Sequence, residues 1–149
     1  GATKEAVRLG GCASVYSSEK FIKNVEGRRN FFKYRDLGVT SGSNGELRAQ
    51  ITEGSSGMIR PTGWHYHVCD GQFVYMIQGW VELEFADGKN IRIGEGDSIF
   101  IPGGIPHNEI ATSENIKLIE VSKPLKVIIH KKNCKSFSYQ WIIKPRSIN

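Results

Sequence analysis

Apolar and polar residues alternate along much of the chain from about residue 46 onward. The alternation is clearest at Val81, Leu83 and Phe85, which are separated by Glu82 and Glu84. A period of two places successive side chains on opposite faces of a β-strand. Such runs, separated by Gly, Pro, Asn and Asp, are GELRAQITE, WHYHV, QFVYMIQ, WVELEFA, NIRIG, DSIFIP, HNEIAT and IKLIEVS. This pattern predicts an all-β sandwich or barrel.

The two ends of the chain differ from this central region. SSEKFIKNVEG, residues 17–27, combines a serine cap with apolar residues at helical spacing and a terminal glycine, so it predicts one short helix. KVIIH and SFSYQWII predict a further pair of strands joined by KKNCKS. The expected organisation is an N-terminal extension of residues 1–45 with a short helix and a strand, a β-barrel over 46–122, and a C-terminal extension of 123–149 packed on the barrel.

Charge is distributed unevenly along the 149 residues, whose net charge is +5. Residues 46–122 carry eleven Asp and Glu against five Lys and Arg, whereas residues 123–149 carry seven Lys and Arg and no acidic residue. A basic end can bind nucleic acid, but no helix-turn-helix, zinc-finger or RNA-binding signature supports that role here. We therefore expect a solvated or docked basic end and no nucleic-acid partner.

The length and the cysteine pattern narrow the class of protein further. A chain of 149 residues predicts one domain, and no apolar run reaches the ~18 residues that a membrane span needs, so no membrane partner is expected. Cys12, Cys69 and Cys134 form no C-x-x-C pair, which argues against a disulfide framework or a zinc knuckle. The start of the sequence shows no secretory signal pattern. The expected location is the cytoplasm.

Three of the four histidines lie in two local patterns. His65 and His67 are one residue apart, so on a strand both imidazoles project from the same face. His107 ends the run GDSIFIPGGIPH, whose glycines and prolines predict a bend before the next strand. Imidazole is a common protein ligand for zinc, iron, copper and nickel. The three histidines are therefore candidate ligands of one divalent ion.

These two patterns resemble the two motifs of the cupin superfamily. The first motif is H-x-H, three or four residues, Glu, six residues and Gly, and it is matched by His65, His67, the position of Gln72, and Gly79. The second is Gly, five residues, Pro-x-Gly, two residues and His, and it is matched by Gly96, Pro102, Gly104 and His107. The resemblance covers about residues 46–122 and implies a small single-domain RmlC-like cupin, an antiparallel β-barrel of the double-stranded β-helix or jelly-roll type.

The resemblance implies one divalent transition-metal ion at the barrel mouth, held by His65, His67, Gln72 and His107. Iron, zinc, nickel, manganese and copper all remain open. Gln72 stands where the motif has glutamate. Three imidazoles and an amide bring no negative charge, so we expect weaker binding of hard, oxygen-preferring ions and no carboxylate base among the motif residues.

Further side chains are assigned by strand parity and by what the resemblance implies. Met76, Phe100 and Cys69 are candidates for the lining of a pocket. Two functions stay open: a metal-dependent enzyme, dioxygenase-like or isomerase-like, acting on a small acidic organic molecule, and a non-catalytic module that binds or senses such a molecule. A homodimer is expected, with NFFKYRDLGV, residues 30–39, adding to a neighbour's sheet.

Overall fold

A computed structural model describes residues 8–9, 12–18, 25–26, 31–131, 134–140 and 142–145, and the side chains of 12–18 and 31–124. Its one helix among these residues, α1, is Val39–Gly42. The strands are β1 Arg8–Leu9, β2 Cys12–Ala13, β3 Val25–Glu26, β4 Phe32–Asp36, β5 Arg48–Gly54, β6 His65–Gln78, β7 Val81–Phe85, β8 Asn90–Ile93, β9 Ser98–Pro102, β10 His107–Thr112, β11 Lys117–Lys131, β12 Cys134–Gln140 and β13 Ile142–Pro145. Among the described residues, no helix is long and apolar enough to cross a membrane.

The strands form an antiparallel jelly roll, which confirms the predicted all-β fold class. The main sheet has the order β3-β4-β5-β11-β6-β10-β7-β8, while β12 pairs with β11, and both β9 and β13 pair with β6. Within the described residues this path has two ends and does not return on itself. The sequence prediction of a closed barrel is corrected in that respect, because β3 and β8 remain edges of the sheet.

The longest central strand is β6, and it carries two of the three motif histidines. Its first part, His65–Val68, pairs with β13, and its second part pairs with β9 and β11. The sequence predicts two strands here, WHYHV and QFVYMIQ, separated by a turn at Asp70 and Gly71, and that prediction is wrong. Neighbouring strands remain paired with β6 on both sides of this region. A register shift between Lys123 and Pro124 on β11 marks a β-bulge opposite them, where β6 has one extra residue. Asp70 therefore lies within the strand and forms an ion pair of 3.5 Å with Lys123.

A tight turn between β9 and β10 packs directly on β6. A Cβ at Gly103 would lie only 1.6 Å from the carbonyl oxygen of Cys69, so only glycine permits this approach. The backbone N–H groups of Gly103 and Gly104 donate to the carbonyl oxygens of Asp70 and His67, at 3.1 and 3.0 Å. This turn fixes the start of β10, and with it His107, against the strand of His65 and His67.

The core lies between the inward faces of the strands. Val81 and Leu83 are buried while Glu82 and Glu84 are not, which confirms the alternation predicted for β7. The buried apolar cluster consists of Phe32, Val74, Met76, Val81, Leu83, Ile93, Ile101, Ile116 and Leu118. The inward positions of β6 have odd numbers up to Cys69 and even numbers from Gln72 onward. The extra residue of the β-bulge accounts for this change, because it moves the following side chains to the opposite face.

The N-terminal extension differs from its expected arrangement. β4 pairs with β5 of the same chain, and Phe32 belongs to the core, so the segment expected to add to a neighbour's sheet adds to its own. Most of the helix predicted over residues 17–27 falls outside the described residues. Val25–Glu26 of that segment is a strand that pairs with β4, so the predicted helix does not reach Gly27.

The C-terminal region supplies strands to the same sheet. β11 runs across the expected boundary at residue 123 and forms a hairpin with β12, at the positions where the sequence predicts a strand pair. β13 then returns to pair with His65–Val68. The expected packing of this extension on the barrel stays a prediction, because its side chains after Pro124 lie outside the described side chains.

Candidate metal centre

The structure brings the three motif histidines together. His107 on β10 is the direct partner of His65 on β6, and His67 lies two residues further along the same face. One ring nitrogen from each histidine lies within 4.8 Å of those of the other two. His107 is only 1% exposed. The sequence prediction that these three side chains form one cluster agrees with this geometry.

Backbone contacts select which nitrogen faces the cluster. Nδ1 of His65 lies 2.8 Å from the carbonyl oxygen of Gly63, and Nδ1 of His107 lies 2.9 Å from that of Ile105. A carbonyl oxygen only accepts hydrogen bonds, so both Nδ1 atoms carry the proton and donate it. In the neutral ring Nε2 is then a lone-pair donor, as in most histidines that bind metal ions.

Burial favours the uncharged form of His67 and His107. Desolvation, together with the neighbouring His107 and His65, lowers the pKa of His67 to about 4. Desolvation also lowers the pKa of His107, although Glu109 opposes that shift. A neutral imidazole is the form that binds a metal ion, so these residues need lose no proton before an ion binds.

A carboxylate that the sequence analysis missed lies beside the histidines. Glu109 follows His107 by two residues on β10, and its oxygens lie 3.6 Å from Nε2 of His65 and 3.9 Å from Nε2 of His107. Burial disfavours its ionised form, but the two histidines and a hydrogen bond from the Thr62 hydroxyl outweigh burial and lower its pKa. The signal was present in the sequence, because His107 and Glu109 share strand parity in the same way as His65 and His67.

Gln72 is 7% exposed and takes part in a second polar group in the interior. Its Nε2 donates to Oε1 of Glu120 on β11 at 3.0 Å. The other oxygen of Glu120 accepts from Gln50 at 2.5 Å and from the Thr52 hydroxyl at 2.9 Å. Burial raises the pKa of Glu120 despite these hydrogen bonds. Sequence analysis missed Glu120 because it lies outside both motifs.

The three residues expected to line a pocket have different surroundings. Met76 is 0% exposed and belongs to the apolar core. Phe100 is 61% exposed and pairs with Phe73 on the face opposite Gln72, so it does not line the interior. Cys69 is buried, and burial raises the pKa of its thiol, which disfavours the thiolate that a metal ion would need. Cys69 is also outside the three-histidine cluster.

The donor set fits a divalent transition-metal ion. Three imidazoles that converge in this way, two buried and that of His67 half-buried, are the kind of ligand that zinc, iron, copper and nickel share. The hydrogen bonds from Nδ1 to backbone carbonyls are the orienting contacts that metal-binding histidines usually make. The cluster therefore indicates a metal-binding site, while the identity of the ion is open.

Comparisons with known proteins agree with this site. A relative, 3-hydroxyanthranilate 3,4-dioxygenase of Meyerozyma guilliermondii, is 31% identical over 84 residues, covering 50% of each chain, so the match spans about half of that enzyme. The polyketide cyclase RemF from Streptomyces resistomycificus shares the fold with a TM-score of 0.62 and 22% identity, over 74% of this chain and 79% of that one. Hydroxypropylphosphonic acid epoxidase from S. wedmorenis also shares the fold, with a TM-score of 0.61 and 16% identity. The match covers 73% of this chain and 59% of that one. The model of the cupin domain matches residues 45–122, and the chain belongs to the cupin family.

Proposed function

We propose that this cupin holds one divalent transition-metal ion and uses it on a small acidic organic molecule, in dioxygenase-like or isomerase-like chemistry. The observation that carries the proposal is the convergence of ring nitrogens from His65, His67 and His107 within 4.8 Å of one another. An ion bound there would supply a Lewis acid or a site for oxygen. Similarity of half the chain to a 3-hydroxyanthranilate dioxygenase supports the oxygen-dependent reaction.

Gln72 is proposed as a neutral ligand in addition to the three histidines. Its amide nitrogen donates to Glu120, so its Oε1, the end of the amide that can bind a cation, is left for another partner. This hydrogen bond supports the proposal, because it occupies the amide nitrogen and not the oxygen.

Positive charge near the histidines supports an acidic substrate or ligand. Arg48 begins β5, and its guanidinium donates to Oε1 of Gln50 at 2.7 Å. Its charge lowers the pKa of both His67 and Glu120, although it is a lesser cause in each case. An arginine in this position would bind a carboxylate of the small molecule.

The non-catalytic alternative loses part of its support. From the sequence, a binding or sensing module is favoured by the missing motif glutamate and the absence of another base. The structure has two carboxylates that the motif residues do not include. Glu109 lies beside the histidines, and Glu120 accepts a hydrogen bond from Gln72. A proton acceptor is therefore available to an enzyme.

Metal content tests the centre. His65→Ala, His67→Ala and His107→Ala should each lower metal affinity ~10-fold or more, by analogy with changes in the shell around a bound metal. His130→Ala is the matched control, because it changes the one histidine outside both motifs. Elemental analysis of the purified proteins gives the occupancy, and full occupancy in all three variants would rule out the site.

Oxygen uptake by the iron-loaded protein separates the two functions. The panel consists of diketones, catechols, flavonols and an aminophenol carboxylic acid of the 3-hydroxyanthranilate type. Uptake above that of His107→Ala supports the dioxygenase. Tight binding of an acid without uptake or isomerisation supports the binding module instead.

A further inference from the structure

The contact between Glu109 and the two histidines is electrostatically incomplete as it stands. Because Nδ1 of His65 and of His107 each donate to a backbone carbonyl, Nε2, the nitrogen that would bind an ion through its lone pair, is the atom that each ring turns toward the Glu109 carboxylate. Distances of 3.6 and 3.9 Å are too long for hydrogen bonds. Two lone pairs and an anion that face one another in a buried place repel, unless a cation lies between them.

The same distances suit ligands that share one ion. Donors at about 2.0–2.2 Å from a common metal ion are about 3–3.5 Å apart when the angle between them is near 90–110°. The Glu109 oxygens are slightly beyond that separation from both Nε2 atoms, and Glu109 is not one of the residues whose donor atoms all lie within 4.8 Å of one another. A shift of the carboxylate toward the two histidines by a few tenths of an ångström would close the difference, without a change of rotamer.

Glu109 is also held in this direction by the loop before β6. The Thr62 hydroxyl donates to the Glu109 carboxylate, and the Glu109 N–H donates to the same hydroxyl oxygen at 3.1 Å. The Thr62 N–H donates to the Glu109 carbonyl oxygen at 3.0 Å. Next to it, the Gly63 N–H donates to Oδ1 of Asn108 at 2.9 Å. A carboxylate fixed by its neighbours loses little further freedom on binding an ion.

We infer that Glu109 is the carboxylate ligand of this centre, supplied two residues after the third histidine, while Gln72 occupies the position where the cupin motif has its glutamate. The inference rests on the proposed function, since it requires that the three histidines hold a metal ion. It reverses the expectation of an uncharged donor set. With one carboxylate the set carries a negative charge and an oxygen ligand, and both strengthen the binding of harder ions such as manganese(II) and iron(II).

Manganese(II) binding to the metal-free full-length chain tests this inference. Free and bound manganese are distinguished by electron paramagnetic resonance during a titration of wild type, Glu109→Gln and His107→Ala. Glu109→Gln should weaken binding ~10-fold or more, because the amide keeps the size of the side chain but loses its charge. Glu95→Gln is the matched control: Glu95 is exposed in the turn between β8 and β9, and this variant should bind within about threefold of wild type.

A charge-swap variant keeps the test sharp. In Glu109→Gln/Gln72→Glu/Glu120→Gln the carboxylate returns to the motif position, and the amide at position 120 keeps a donor against it. Affinity should recover at least partly if charge at the ion is what Glu109 provides. Thermal unfolding of each metal-free protein shows whether the variant is folded. If Glu109→Gln does not fold, Glu109→Asp takes its place, and the shorter carboxylate should weaken binding because it falls further from the ion.

The outcomes separate this inference from the proposed function. Unchanged affinity in Glu109→Gln, with binding lost in His107→Ala, would overturn the role of Glu109 and leave the histidine centre standing. Wild-type affinity in His107→Ala would overturn both. Loss in Glu109→Gln without any recovery in the charge-swap variant would show that Glu109 orients the histidines rather than binding the ion, which also overturns the inference.

Discussion

At the scale of single residues, protonation of the cluster is opposed by burial and by crowding. The ring centroids of His65, His67 and His107 are 4.5–5.4 Å apart. A proton on one ring would place a positive charge in a poorly hydrated site, beside two other imidazoles that can also become positively charged. This is why the pKa of His67 falls to about 4.

That pKa predicts how the stability of the metal-free protein depends on pH. Between pH 6.5 and pH 4 His67 stays neutral in the folded protein but takes up a proton in the unfolded chain. The unfolded state then binds more protons, so the free energy of unfolding falls as the pH is lowered through this range. The lowered pKa of His107 acts in the same direction.

Thermal unfolding in the presence of a chelator, between pH 7 and pH 4.5, measures this dependence. The midpoint temperature should fall as the pH is lowered. It should fall less steeply in His67→Gln, because the side chain at position 67 then no longer titrates. Equal slopes for the two proteins would show that His67 takes up its proton over the same pH range in the folded and unfolded states, contrary to the lowered pKa.

Residue patterns predict the histidines of this site better than its carboxylates. The spacing H-x-H and the bend before His107 are local signals, and strand parity turns them into one face of a sheet. Glu109 shares that parity but is absent from the motif, so the pattern gave no reason to select it. Glu120 meets Gln72 only because β11 pairs with β6, 48 residues further along the chain. Sequence spacing alone does not contain that contact.

At the scale of elements, the turn at Gly103 and Gly104 links the two motifs. Gly103→Ala should destabilise the protein by at least about 1–3 kcal/mol, because the new Cβ meets the Cys69 carbonyl oxygen and the backbone has to move. The hydrogen bonds from this turn to β6 would be disturbed with it. The free energy of unfolding by denaturant measures the effect.

Gly94→Ala is the matched control for that change. The nearest atom to a Cβ at Gly94 is the Asp97 Oδ2 at 3.6 Å, an ordinary contact, so stability should be unchanged or slightly higher. A similar change in the free energy of unfolding for Gly103→Ala and Gly94→Ala would mean that the close approach of Gly103 to β6 does not require glycine.

The positions of most central strands were predictable because alternation and turn residues are local. β7, β8, β9 and β10 each fall within a predicted run. The single strand β6 was not predictable in the same way, since Asp70 and Gly71 indicate a turn when only near neighbours are considered. Pairing with β9, β11 and β13 keeps the backbone extended there. Tertiary pairing thus outweighs local turn preference.

At the scale of the whole molecule, the described sheet exposes apolar side chains on its outer face. Phe73 and Phe100 are direct partners across β6 and β9, and Tyr75 lies two residues from Phe73. Neighbouring exposed aromatics of this kind are more frequent at protein interfaces than elsewhere on a surface. The expected homodimer stays a prediction, which the mass from light scattering checks, and these three residues are where we would expect it to form.

The fold of the whole chain also depends on its basic C-terminal end. Truncation before Lys123 would cut β11, remove β12 and β13, and leave the His65–Val68 part of β6 with only its pairing to β10 at His65. We expect a lower unfolding temperature or aggregation, since exposed strand edges pair with other chains. Metal affinity should fall as well, because β13 pairs along the residues that carry two of the ligands.

Salt dependence distinguishes strand pairing from charge attraction as the cause of that loss. The ion pair of Lys123 and Asp70 is exposed on both sides and contributes little, about 0–1 kcal/mol, and salt screens it. The difference in unfolding temperature between wild type and the truncated protein should therefore persist at high salt. A chain ending at Pro145, the last residue of β13, is the control and should unfold like the full chain. A truncated protein that stays soluble, unfolds at the wild-type temperature and keeps its metal would show that residues 123–149 are an appendage to the fold.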